Sequence, residues 1–191
     1  MKRIRDLVSF ESGSPQFRIK EAFDENAPQY TFYGQPEVEG DLTEIDSQNS
    51  EIKQLKTYDK VHTVETGDVV FSLISGTAAI VREIHSGFLF TQNYVKLVPG
   101  KDMDAGFLVY MFNEDAGIRK QFQMGMQGSI TLKYTLKQVR ELNLPYLPEM
   151  KKQKLIGELY FNQLRLNALR KRAADSETMI ILEKIRGDNV K

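Results

Sequence analysis

The chain has 191 residues, 41% of them apolar and 27% charged, which is room for one domain with a real core plus an appendage and is not the composition of a disordered chain. Cysteine is absent, which excludes a disulfide framework and thiolate zinc sites and fits a reducing, cytoplasmic setting. The 26 basic and 26 acidic residues cancel, but residues 1–147 carry 16 and 20 (net −4) and residues 148–191 carry 10 and 6 (net +4), so phosphate contacts in the first part must come from a local cluster.

No apolar run reaches the ~20 residues that span a bilayer. The basic start Met1-Lys2-Arg3-Ile4-Arg5-Asp6 lacks the apolar stretch of a signal peptide. Residues 2–60 read as irregular and polar. They hold a short amphipathic piece (Ile4, Leu7, Val8), the turn Ser12-Gly13-Ser14-Pro15, an aromatic patch expected to pack (Tyr30, Phe32, Tyr33, Gly34, Pro36) and an acidic turn at Glu39-Gly40-Asp41. Residues 61–98 read as a compact, mostly antiparallel sheet. Its strands are Val69–Ile74, Thr77–Val81, Phe88–Phe90 and Tyr94–Val98, separated by glycine turns.

Over 102–123 the apolar period changes to that of helices. Phe107, Met111, Ile118 and Phe122 fall on one side, and Asp104 and Asp115 suit the caps of two short helices. Thr135 followed by Gln138 is a capping-box pattern that starts another, and Leu142–Pro145 reads as a brief strand. Pro148 and Glu149 then open a long helix. One seam of it, Leu159, Leu166, Ala173 and Ile180, repeats every seven residues, and the companion seam holds Leu155, Asn162, Leu169, Ser176 and Glu183. Spacings alternating three and four are those of a coiled coil, with Asn162 as a polar lock. A spacer that protrudes and meets another chain is the expectation; a helix folded back on its own domain is the alternative.

Catalytic patterns are missing. His62 and His85 stand alone, without a second histidine at metal-ligand spacing, and read as surface or half-buried residues. Ser75-Gly76 lacks the preceding glycine of a nucleophile elbow, and no phosphate loop or dinucleotide fingerprint occurs. Neither a cofactor, a metal nor an enzymatic activity is expected.

The order of segments carries a resemblance. The turn Ser12-Gly13-Ser14-Pro15 precedes Gly67-Asp68-Val69-Val70-Phe71, then Phe107-Leu108-Val109-Tyr110-Met111, then Gln127-Gly128-Ser129-Ile130-Thr131-Leu132. Leu142-Asn143-Leu144-Pro145-Tyr146-Leu147-Pro148-Glu149 and Lys152-Gln153-Lys154-Leu155-Ile156 follow, with the long helix behind them. Across essentially the whole chain this succession resembles the target recognition domain and spacer helix of type I restriction-modification specificity subunits. The resemblance implies an α+β fold: a mixed or antiparallel sheet domain with short helices over 1–147, then a coiled-coil helix over 148–191. It also implies a non-catalytic role in reading double-stranded DNA and directing methyltransferase, and restriction, subunits to a split target. Family members carry two domain-plus-helix repeats and this chain one, so it looks like a half-subunit that works as a homodimer on a palindromic split target.

Base-edge chemistry favours paired hydrogen-bonding side chains. On that ground the first candidates are Gln127, Ser129, Thr131, Lys133 and Tyr134, followed by Ser75, Thr77, Gln92 and Asn93, with Arg119 and Lys120 for phosphates. Dimerisation is assigned to Leu155, Leu159, Asn162, Leu166, Leu169, Ala173 and Ile180. A coiled-coil module that binds only protein, such as an orphan or decoy related to restriction subunits, is the other reading.

Overall fold

In a computed structural model, which describes residues 2–45, 53–126, 134–144 and 147–188, the chain forms an α+β head and one long C-terminal helix. A four-stranded antiparallel sheet has the order β1 (Val8–Ser12), β7 (Tyr94–Pro99), β4 (Val69–Ser72), β5 (Ala78–Ile80). A smaller sheet places β2 (Gln29–Tyr33) between β3 (Gln54–Lys56) and β6 (Leu89–Phe90), pairing antiparallel with the first and parallel with the second.

Strand β4 is buried along its whole length, and the two-residue period of a strand sorts its side chains into two cores. Val69 and Phe71 face α2 (Ala105–Glu114) and α3 (Ala116–Met126), where Leu108, Met111, Phe112, Ile118 and Phe122 close the larger core. Val70 faces the other way, into a smaller core with Tyr33, Val38, Val64, Ala79 and Phe90. The exposed side of a sheet's last strand invites unwanted pairing. Here Asn113 covers it: its Oδ1 accepts from the Ala78 N–H (2.8 Å) and its Nδ2 donates to the Ala78 carbonyl (2.9 Å).

The expected caps form. The Asp104 carboxylate accepts from the Phe107 N–H (3.0 Å) and that of Asp115 from Ile118 (2.9 Å). Thr135 and Gln138 close the capping box of α4 (Leu136–Glu141). Leu142–Leu144 makes only a bridge to the N-terminus, Ile4 N–H to the Leu142 carbonyl and Leu144 N–H to that of Lys2, in place of the expected strand.

Two readings of residues 2–60 need correction. Strands β1, β2 and β3 and helix α1 (Gln35–Thr43) lie in the stretch read as irregular, and the acidic turn Glu39-Gly40-Asp41 is the second turn of α1. The helix starts on Pro36 and on Glu37, whose carboxylate accepts from the Gly34 N–H (2.8 Å), and Asp41 then points inward to buried partners.

The long helix α5 (Met150–Asp188) has 39 residues, about 58 Å at 1.5 Å per residue. It begins two residues after Pro148; the Glu149 carbonyl accepts from both Lys152 and Gln153. Gln153, 2% exposed, joins rod to head: its Oε1 accepts from the Asp104 N–H (2.9 Å) and its Nε2 donates to the carbonyls of Asp102 (3.2 Å) and Pro148 (2.9 Å). Next to it Gly157 meets Gly106 of α2 backbone to backbone, so closely that a Cβ on Gly157 would lie 2.8 Å from the Gly106 carbonyl carbon.

One stripe of α5, made of Gln153, Ile156, Gly157, Tyr160, Phe161, Leu164 and Ala168, is buried or half-buried against the head. At 100° per residue the heptad seams lie about half a turn away. Leu155, Leu159, Leu166, Leu169 and Ile180 are 41–61% exposed, and Asn162 and Ala173 are exposed with them. Past Ala168 the described side chains of α5 are exposed apart from the half-buried Ser176. The first half of the rod therefore lies along its own head and still presents the leucine stripe outward.

Candidate nucleic-acid interface

Strands β4, β5, β7 and β1 all have ends at one edge of the large sheet, and the polar turns between them gather there. The turn from β4 to β5 is set by Ser72: its Oγ accepts from the Ile74 and Ser75 N–H groups (3.3 and 3.2 Å), and its carbonyl accepts from Gly76 (2.9 Å). Gly76 has φ +72°, the left-handed region that glycine enters without cost. A side chain there would also strike the Tyr134 ring, 2.4 Å from the Cβ position. The turn before β7 is tied to this one by the Asn93 carbonyl, which accepts from the Leu73 N–H (2.8 Å). Tyr134 N–H donates to the Leu73 carbonyl from the opposite side (2.9 Å).

Beside these turns α3 contributes one wall of a small cleft of about 180 Å³, lined by Ser75, Gly76, Asn113, Arg119, Gln123 and Tyr134 over a floor of Phe112 and Phe122. Three sequence candidates, Ser75, Arg119 and Tyr134, thus meet from distant parts of the chain. Tyr134 is held by packing, edge-on to Phe122 (4.9 Å between centroids) and to Phe71 (5.9 Å), so its ring is a wall more than a mobile contact. Arg119 is exposed and touches Glu114 at 4.0 Å, a loose contact that leaves the guanidinium facing water.

The remaining candidates take different places. Thr77 is half-buried and its carbonyl receives the Ser72 N–H (2.9 Å). Asn93 is half-buried, with its N–H on Thr91 Oγ1 (3.4 Å); Gln92 is exposed, with its N–H on the Ser14 carbonyl (3.0 Å). Lys120 is exposed on α3, outside the cleft. Gln127, Ser129, Thr131 and Lys133 lie outside the described residues; the chain leaves for them at the end of α3 and returns at Tyr134.

Sequence reasoning missed the strap that borders this edge. Gly13 and Ser14 are buried against residues 90–94: Gly13 N–H donates to the Tyr94 carbonyl (3.3 Å), Ser14 N–H to that of Phe90 (3.0 Å), and Ser14 Oγ accepts from the His62 N–H (2.8 Å). A Cβ on Gly13 would lie 2.3 Å from the Thr91 carbonyl oxygen, which is the reason for glycine there. The signal was present in Ser12-Gly13-Ser14-Pro15, read only as a turn. Gln123 and Asn113 were also missed; nothing in their local pattern marks them.

The two histidines part company. His62 is exposed, while His85 is buried with its Nδ1 2.7 Å from Asp41 Oδ1. Tyr33 donates its hydroxyl to the same carboxylate (2.7 Å), and burial, then the Asp41 charge, holds its phenol well above the usual range. Among the described residues no group of three or more His, Cys, Asp and Glu side chains is placed to hold a metal, and no helix is long and apolar enough to cross a membrane.

No protein-family model matches the chain, and no curated protein matches it. Solved structures do. The HsdS subunit from Thermoanaerobacter tengcongensis aligns with 90% of this chain at TM-score 0.58 and 16% identity, and 39% of its own length is covered. A chain from work on complex assembly and conformational transition of the type I R-M system aligns with 96% at TM-score 0.61 and 16% identity, with 42% of that chain covered. The type I restriction-modification S subunit from M. genitalium aligns with 94% at TM-score 0.54 and 14% identity, again with 42% covered. This chain therefore spans well under half of each neighbour, and over that span it has the fold of a type I restriction-modification S subunit, one head followed by one long helix.

Proposed function

We propose that this protein is a DNA-reading specificity half-subunit of a type I restriction-modification system. Residues 1–147 serve as the recognition domain and residues 148–191 as the spacer through which two copies pair. The chain itself performs no catalysis; it directs methyltransferase and restriction subunits, in the cytoplasm, to a split target.

The observation that carries this reading is the convergence of Ser75, Arg119, Gln123 and Tyr134 on one cleft at one edge of the sheet, in a head whose fold is that of S subunits. Hydroxyl, amide and guanidinium groups are the types that read base edges and hold phosphates. Gln127, Ser129, Thr131 and Lys133 run directly up to Tyr134 in the sequence and are assigned here to the same reading surface. The outward leucine stripe supports the pairing, because an apolar seam of this length left in water favours a second helix.

Binding to a pool of duplexes, measured by fluorescence anisotropy over a range of salt, tests the proposal. A subset of sequences should bind tightly, with affinity falling steeply as salt rises. Arg119→Ala should weaken all duplexes about equally and reduce the log–log salt slope by about 1, the signature of one lost phosphate contact. Failure of every duplex, with methyltransferase subunits present or absent, would replace the proposal by a protein-only module.

A further inference from the structure

Directly beyond the Gly13–Ser14 strap, Pro15 caps a single 3-10 turn, Gln16–Arg18. The turn is fixed at both ends: Arg18 N–H donates to the Pro15 carbonyl (2.9 Å) and Ile19 N–H to that of Gln16 (3.2 Å). Behind it Ser14 is 4% exposed and pairs with Thr91, and the Gln92 N–H donates to the Ser14 carbonyl. On this anchored turn Phe17 is 75% exposed, with the Arg18 guanidinium 5.5 Å from its ring centroid.

A single exposed phenylalanine is ordinary, but this ring projects from an anchored turn, outside either hydrophobic core, where it can meet a partner surface. Its neighbours indicate the kind. Arg18 stands over the ring, His62 is tied to the same strap, and Gln92 adjoins it at the polar edge of the sheet. Base pairs offer flat apolar faces to a wedge, and phosphates lie one step away for a guanidinium. Phe23, 94% exposed, makes the contrast. It stands between Glu21 on one side and Asp24 and Glu25 on the other, a setting that repels phosphates.

Resting on the DNA-reading proposal above, we propose that Phe17 is a wedge that partly unstacks a base step at the border of the recognised sequence, with Arg18 holding the adjoining phosphate. Proteins that insert such a ring pay for unstacking and gain a bent duplex that follows more of their surface.

The test uses the full-length chain and a duplex that it selects from a random pool, labelled in turn with 2-aminopurine at positions along and just outside the selected sequence. Wild-type protein should raise 2-aminopurine fluorescence at one border step of each half-site. Phe17→Ala should abolish that rise and weaken binding by about 5- to 100-fold with the salt slope unchanged, as expected for loss of one stacking contact. Arg18→Ala should lower the salt slope by about 1. Phe23→Ala should leave both readouts as in wild type. Both phenylalanines are exposed, so thermal melts of the variants should overlay the wild type. If the selected duplex binds and Phe17→Ala changes neither fluorescence nor affinity, the wedge is wrong and the DNA-reading proposal stands. If no duplex can be selected, both fall.

Discussion

Replacing Asp41 by alanine should destabilise this protein more than any other single truncation of a polar side chain in the head. Asp41 sits on α1 with its side chain fully buried. It accepts from Tyr33 Oη (2.7 Å) and from Arg82 Nε (3.1 Å) and N–H (3.3 Å), and it contacts His85 Nδ1 at 2.7 Å. One carboxylate thus joins α1, β2 and the segment after β5. Removing it takes one carboxylate from Arg82, whose side chain is 24% exposed, and takes the buried carboxylate from an imidazole whose side chain is 11% exposed. Breaking a buried ion pair from one side costs about 3–5 kcal/mol. For a domain of this size that corresponds to a fall in melting temperature of roughly 10 °C. Circular dichroism melts of Asp41→Ala and Asp41→Asn check it, the asparagine retaining hydrogen bonds and losing less. An alanine variant melting within 2 °C of wild type would mean that the network contributes nothing.

The second large effect is expected at the leucine stripe. Leu166→Asp combined with Leu169→Asp places two carboxylates in the middle of the exposed seam, whose flanks are Leu159, Asn162, Ala173 and Ile180. The head should not notice, because its contacts use the opposite stripe, Ile156, Gly157, Tyr160 and Phe161. The dimer should: charges in a coiled-coil seam face each other without water. Sedimentation at micromolar concentration should show wild-type dimer and variant monomer with unchanged melting of the head. Affinity for a two-half-site duplex should then drop by roughly 10²–10⁴-fold, the advantage that a linked second head confers. A monomeric wild type, or a dimer that survives both substitutions, would contradict this use of the rod.

Where local rules decide structure, they were legible. Strands β4, β5 and β7 follow from β-branched runs cut by Gly67, Gly76 and Gly87, each at positive φ, whereas β6, read as part of the same antiparallel sheet, joins the smaller sheet and pairs parallel with β2. The breaks of the helices follow from Asp104, Asp115 and Thr135. Helix α1 was not legible, because Pro36, Gly40 and four acidic or amide side chains resemble a turn, and only Val38 and Leu42 offer an apolar period. What makes it a helix is tertiary: the Asp41 carboxylate meets partners 41 and 44 residues away. In α5 the leucine seam was read and its opposite was not. Ile156, Tyr160, Phe161 and Leu164 also keep a three-four spacing, but Gly157 interrupts it, and Gly157 finds its reason only in Gly106.

At the candidate site, chemistry could nominate residue types and could not see their surroundings. Ser75, Arg119 and Tyr134 do meet, but Tyr134 is tied to Phe71 and Phe122, and Thr77 and Asn93 contribute backbone carbonyls to the turns. Phe17 was passed over because exposure is a property of the folded chain. A phenylalanine beside an arginine in a turn-rich stretch looks the same in sequence whether it packs or projects.

The most direct measurement is the sequence and symmetry of DNA enriched from a fully random duplex pool by the full-length protein. Two inverted half-sites separated by a spacer of constant length should emerge, and inserting a few base pairs into that spacer should abolish binding, since the paired rods fix the distance between the heads. Enrichment of nothing, or of a single uninterrupted site whose binding ignores the insertion, would contradict the account.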